Sequence, residues 1–172
     1  RIRTPEGWAW LTIPIQTMPR EQPVSAAVTA HSAWAPKHWR AIRHNYAHAP
    51  HFRDFAAELQ CLYADAARMS RLSDINEMFT REITRWLGLD TPIHRDTEFN
   101  LKPGPNERLI SLCRQVGATH YLSGPAAKSY LDETAFAEAG ITVEWMNYEY
   151  APYPQRFPPF IDRLSMLDTL FN

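Results

Sequence analysis

Cysteine is scarce in this 172-residue chain, which holds only Cys61 and Cys113. A disulfide framework is therefore not what stabilises it, and a reducing compartment fits the composition better. Each cysteine adjoins a leucine within a helical pattern, so both are expected to be buried small hydrophobes. No apolar run approaches about 18 residues, and no cationic stretch leads into an apolar signal core, so neither a membrane span nor an export signal is expected and the chain reads as cytoplasmic. Charge of one sign is lacking too: 18 Lys and Arg face 19 Asp and Glu, for a formal net charge of −1. That balance argues against a nucleic acid polymer bound on a broad basic face. It leaves room for a single nucleotide or phosphorylated sugar, which needs only a few cations or a helix N-terminus. The GxGxxG fingerprint, the P-loop, the GxSxG elbow and HExxH are all absent, and the residues name no cofactor.

What is present suits one domain, since single domains commonly span about 100 to 200 residues. Residues 8–15 read as a strand from their aromatic and β-branched content, with Pro14 confining it to an edge or ending it at Ile13. Pro5-Glu6-Gly7 reads as the turn before it; if residues 1–3 are a hairpin arm, their partners are expected largely upstream. A polar connection over residues 18–23 and a short strand over 24–28 follow. Helical periodicity then runs from Trp34 to the stop at Pro50, again over 52–69, and again over 72–87 to Gly88. The last third alternates: strand 92–99, helix 107–116, strand 119–122, helix 126–139, strand 141–146. This alternation predicts an α/β fold with a mainly parallel sheet, flanking helices and a helix-rich middle section. Four prolines among Tyr and Phe make residues 150–159 an extended loop, and residues 161–170 an amphipathic helix docking through Leu164, Leu167 and Leu170.

Two segments carry the best candidates for chemistry. Where a strand delivers Ser123-Gly124 into a helix, backbone N–H groups and a hydroxyl collect at a sheet edge, with Lys128 about one turn on to meet a carboxylate or phosphate and Tyr130 and Asp132 to orient it. The competing reading is a plain structural turn with Lys128 exposed. In the other segment His38, flanked by Lys37 and Arg40, is the acid/base candidate because its reference pKa lies near neutrality. Aromatic packing with solvated cations is the alternative there. Arg3, Trp10 and Thr12 join this region if the first strand ends beside it. His44 and His48 sit four apart without a completing ligand set, so no metal site is expected. Lys102 and Arg108 border a Pro-Gly-Pro loop where they could hold an anion, with Asn106 as a helix cap, though a solvated loop explains them as well. Glu144 on its alternating strand is expected to face outward.

Taken together in order, Arg1, Arg3, Trp10-Leu-Thr-Ile-Pro14, Trp34, Lys37-His38, Tyr46, Ala49-Pro-His-Phe52, Leu72, Asn76, Tyr121-Leu-Ser-Gly124, Lys128, Tyr130-Leu-Asp132, Leu164-Ser165, Asp168 and Leu170-Phe-Asn172 resemble the WbqC-like family of bacterial proteins. The resemblance implies a single WbqC-like domain over residues 1–172, lacking an upstream His-x-Pro and aromatic-Leu-Pro segment that family members usually carry. It implies an accessory biosynthetic enzyme, linked in some members to O-antigen or other polysaccharide gene clusters. On that basis a transferase in surface-polysaccharide or amino-sugar biosynthesis is expected, with a nucleotide-linked or phosphorylated substrate, no membrane partner and a homo-oligomer among the expected assemblies. By fold-level analogy with Rossmann-like enzymes, Lys37, Lys128 and Arg108 would stabilise phosphate charge, Ser123, Gly124 and Tyr130 would bind beside them, and His38 would move a proton. Lys37 and His38 are then expected to converge with Ser123, Gly124 and Lys128. The alternative is a non-catalytic carbohydrate-pathway binding or scaffold protein.

Overall fold

Three helices in succession form the main body of the first of two structural units, and the spacing of their apolar residues explains why. Helix α1 (Trp34–Tyr46) buries Trp34, His38, Ile42 and Tyr46, a seam at intervals of four. Helix α2 (Phe52–Ala66) buries Phe52, Leu59, Leu62, Tyr63 and Ala66 and packs on α1. Helix α3 (Leu72–Trp86) buries Ile75 completely and lays half-buried Phe79, Ile83 and Trp86 against the same core. Pro50 and its turn separate α1 from α2, as proline's missing donor and fixed φ require.

The computed structural model describes residues 1–17, 19 and 21–172, so part of the expected 18–23 connection, Met18 and Arg20, lies outside the described residues. One unit comprises residues 1–90 and 150–172, the other residues 91–149. In the first unit, β1 (Ile2–Thr4) and β2 (Gly7–Ala9) pair antiparallel across the Pro5-Glu6 turn, so residues 2–4 find their partner immediately downstream rather than upstream. Residues 24–26 form a 3-10 turn instead of a strand, with single bridges from Ile15 to Thr29 and from Val28 to Arg71. The proline-rich stretch 150–159 is irregular and extended, with Pro158-Pro159 cis. It leads to a six-residue helix over Met166–Phe171 in which Leu167 and Phe171 are buried.

In the second unit α4 (Pro105–Gln115) is followed by Gly117 at φ 68, a left-handed position that lets Ala118 N–H return to the Cys113 carbonyl at 2.8 Å. Strand β3 (His120–Ser123) pairs parallel with β4 (Thr142–Trp145), and between them lie a 3-10 turn (Pro125–Ser129) and α5 (Glu133–Glu138). Phe136 of α5 stacks on Tyr121 of β3, ring centroids 5.3 Å apart, and closes this unit's core with Ile110, Cys113 and Ile141. The C-terminal helix named above is α6.

The expected α/β fold with a mainly parallel, Rossmann-like sheet is overturned. The fold is mostly helical, with two small two-stranded sheets among the described residues. Residues 10–15 are extended, as their composition demands, yet make one bridge rather than a ladder, and residues 92–99 contain a 3-10 turn where a strand was expected. The helix expected over 126–139 is broken at Tyr130-Leu131. No helix among the described residues is long and apolar enough to cross a membrane.

Candidate functional site

His38 lies in the wall of a cleft of about 670 Å³ in the first unit, bounded by the N-terminal hairpin and the extended segment after it, α1, α3 and the start of α6. It is 7% exposed, and its ring meets those of Trp34 (centroids 5.1 Å apart) and Tyr63 (6.1 Å) edge-on. The four-residue spacing on α1 places Trp34 and His38 on one face. The segment after β2 runs past that face so that the Thr12 carbonyl accepts a hydrogen bond from His38 Nε2 at 3.0 Å. A neutral imidazole so bound carries its proton on Nε2 and keeps its lone pair on Nδ1. Burial lowers the His38 pKa below the ordinary histidine value, outweighing the Thr12 bond, which acts the other way. The ring is thus a neutral, orientation-fixed base near pH 7. Burial likewise pushes the Tyr63 phenol up, keeping it protonated.

The opposite wall is α3. Asn76, Thr80 and Thr84, four apart, line the cleft beside Phe79 and Ile83, giving a polar stripe on an otherwise apolar face. The regular Asn-Thr-Thr spacing is the sequence signal that marks this face as mixed. Thr80 Oγ1 donates to the Asn76 carbonyl at 2.7 Å, and Thr84 Oγ1 donates to that of Thr80.

A second cluster in this unit holds the cleft's hairpin in place. The Arg3 guanidinium, 1% exposed, donates to the carbonyls of Thr4, Gly7, Phe157, Pro158 and Pro159. Its backbone N–H donates to Tyr46 Oη at 2.7 Å, and that hydroxyl donates to Asp168 Oδ1 at 2.6 Å. Asp168 is fully buried and also accepts from Tyr153 Oη at 2.7 Å and Gln155 Nε2 at 2.9 Å. Desolvation, then the Asp168 bond, drives the Tyr46 pKa far above the ordinary tyrosine value. Arg3 was to join the His38 region if the first strand ended beside it; its side chain clamps the proline loop.

The other expected residues distribute as follows. Lys37 is exposed on α1, in the same unit as His38. Ser123, Gly124, Lys128, Tyr130 and Arg108 belong to the second unit. There Ser123 is buried at the end of β3, and Gly124 has an ordinary φ of −71. Lys128 Nζ stands 5.3 Å from the centre of the Trp145 ring, a cation–π contact. Tyr130 is 62% exposed, and Arg108 is paired with Asp96. Asn106 does not cap α4, whose N-cap is Gly104; its amide instead holds the turn at Tyr130 and Asp132. Cys113 is buried as expected, whereas Cys61 is exposed on α2. Among the described residues no group of three or more His, Cys, Asp or Glu is placed to hold a metal ion.

Comparison with known proteins gives a consistent result. An uncharacterized protein of Mycobacterium tuberculosis, Rv1507c, is 38% identical over 174 residues, an alignment covering all of this chain and 75% of that relative. No solved structure matches the chain. The model of the WbqC-like protein family matches residues 1–172. With the match running the full length of the sequence, the chain belongs to the WbqC-like protein family.

Proposed function

We propose that this protein is a transferase of bacterial surface-polysaccharide or amino-sugar biosynthesis, with its acceptor substrate in the α1–α3 cleft and His38 as the base that takes a proton from the attacking group. The observation that carries the reading is the state of His38: neutral at pH 7 and fixed by the Thr12 carbonyl in the wall of the cleft. A base of that kind commonly contributes about 10²- to 10⁴-fold to a proton-transfer step. A nucleotide-linked or phosphorylated donor would draw on Lys37, exposed on α1 in the same unit as the cleft. Family membership supports the carbohydrate-pathway setting.

The test is a donor–acceptor screen with the purified chain, pairing nucleotide sugars and acyl donors with amino-sugar acceptors and reading products by mass spectrometry. Turnover should fall about 10²-fold or more in His38→Gln. Loss of turnover in Lys37→Ala, with folding retained, would support the donor-site assignment. Tight ligand binding without turnover across the screen would instead establish the non-catalytic binding role.

A further inference from the structure

The hydrogen-bonding groups around the cleft are unevenly satisfied, and the imbalance specifies a ligand. Trp34 lines the cleft and is 2% exposed, yet its indole Nε1–H has no acceptor. Folded proteins seldom leave a buried donor in that condition, because its lost hydration is not replaced. Across the cleft the situation is reversed. The hydroxyl protons of Thr80 and Thr84 are both engaged by backbone carbonyls of α3, so each oxygen offers lone pairs and no donor. Between these groups the lining is largely apolar, including Leu11, Ile13 and Phe79; among the described residues it contains Arg1 but no lysine, aspartate or glutamate.

We propose that the cleft binds a secondary amide carried on an apolar body, its carbonyl accepting from Trp34 Nε1–H and its N–H donating to a threonine hydroxyl oxygen of α3. The proposal rests on the reading that this cleft is the substrate site. A secondary amide has the one acceptor and one donor that the two walls lack. An ester could satisfy the indole but would bring nothing to the threonines, and for an anion the guanidinium at the lining, Arg1, already donates to the Arg163 carbonyl and lies against the Trp8 and Trp10 rings. Because Nε1 is covered, a small rotation of the indole accompanies binding, which makes that N–H a direct reporter.

The experiment is a titration of the full chain with N-hexylacetamide, following the tryptophan indole N–H signals by NMR, with that of Trp34 assigned through its contacts to His38 and Tyr63. Binding should move the Trp34 signal. Hexyl acetate and N-hexyl-N-methylacetamide, which lack the N–H, should bind about five- to tenfold more weakly, the worth of one neutral hydrogen bond. Thr80→Val, at an exposed helix position, should reduce that preference, and Trp34→Phe should weaken every carbonyl-bearing probe by a similar factor. The hexyl glycoside of N-acetylglucosamine distinguishes an amide borne on a sugar from a bare one by which binds more tightly. Equal affinity for amide and ester, or binding with the Trp34 signal unmoved, overturns the amide assignment while leaving the cleft as the site. If no probe perturbs any residue of the cleft although the donor screen shows turnover, the cleft reading falls with it. Should Trp34→Phe fail to fold, the indole signal of the unsubstituted protein decides the matter.

Discussion

At the scale of single residues, His38 links stability to pH. The unfolded chain takes up a proton at this histidine near the ordinary pKa of 6.5, whereas burial requires a lower pH in the folded protein. Its favourable contribution is therefore fully present above about pH 6.5 and is lost as pH falls toward and through the lowered folded value. The denaturation midpoint of the unsubstituted protein should drop more steeply between about pH 7 and pH 5 than that of His38→Gln. Parallel curves for the two proteins would show that His38 is not desolvated. The same residue illustrates how far a sequence can be read. Its titration range and the flanking Lys37 and Arg40 singled it out, but the Thr12 carbonyl that fixes its tautomer is a backbone atom, and no side-chain pattern advertises a backbone atom 26 positions away.

At the scale of elements, helices were legible and sheets were not. The apolar seam of α1 recurs at the period of a helix, and the packing of α1, α2 and α3 against one another preserves it. By contrast, residues 8–15 have strand composition, but only Trp8 and Ala9 of them enter a ladder, because composition selects an extended backbone whereas pairing needs a partner edge. The same distinction removed the expected strand at 92–99 and left a single parallel pair, β3 with β4. Caps were not legible: Asn106, expected to cap α4, does not. Asp132 was singled out as an orienting group, and it caps α5, accepting from Thr134 N–H at 3.1 Å and Ala135 N–H at 3.2 Å. Replacing it with alanine should cost about 1 kcal/mol in chemical denaturation, since a six-residue helix has few other hydrogen bonds to hold its first turn.

At the scale of the whole molecule, the least legible feature is the polar network that joins distant parts of the first unit. Arg3, Tyr46, Tyr153, Gln155 and Asp168 span nearly the whole sequence, and only the folded chain brings them together. Tyr46→Phe removes one hydroxyl but leaves the Arg3 N–H without its acceptor and Asp168 Oδ1 without that donor. It should destabilise the protein by about 1–3 kcal/mol in urea, more than the volume change alone would cause, and a neutral result would contradict the network's role. The clamp of Arg3 on the carbonyls of residues 157–159 also sets an order of events during synthesis. A growing chain exposes Arg3 long before its partners on the proline loop and the Asp168 end of the network emerge. Residues 91–149 are contiguous and can close on themselves while the ribosome is still translating, whereas the unit bearing the cleft must wait for its final helix. For that interval the nascent protein depends on whatever shields its apolar helices, and a chain stopped before residue 150 would hold residues 91–149 while the cleft lacked its wall of Ser165, Met166 and Leu167.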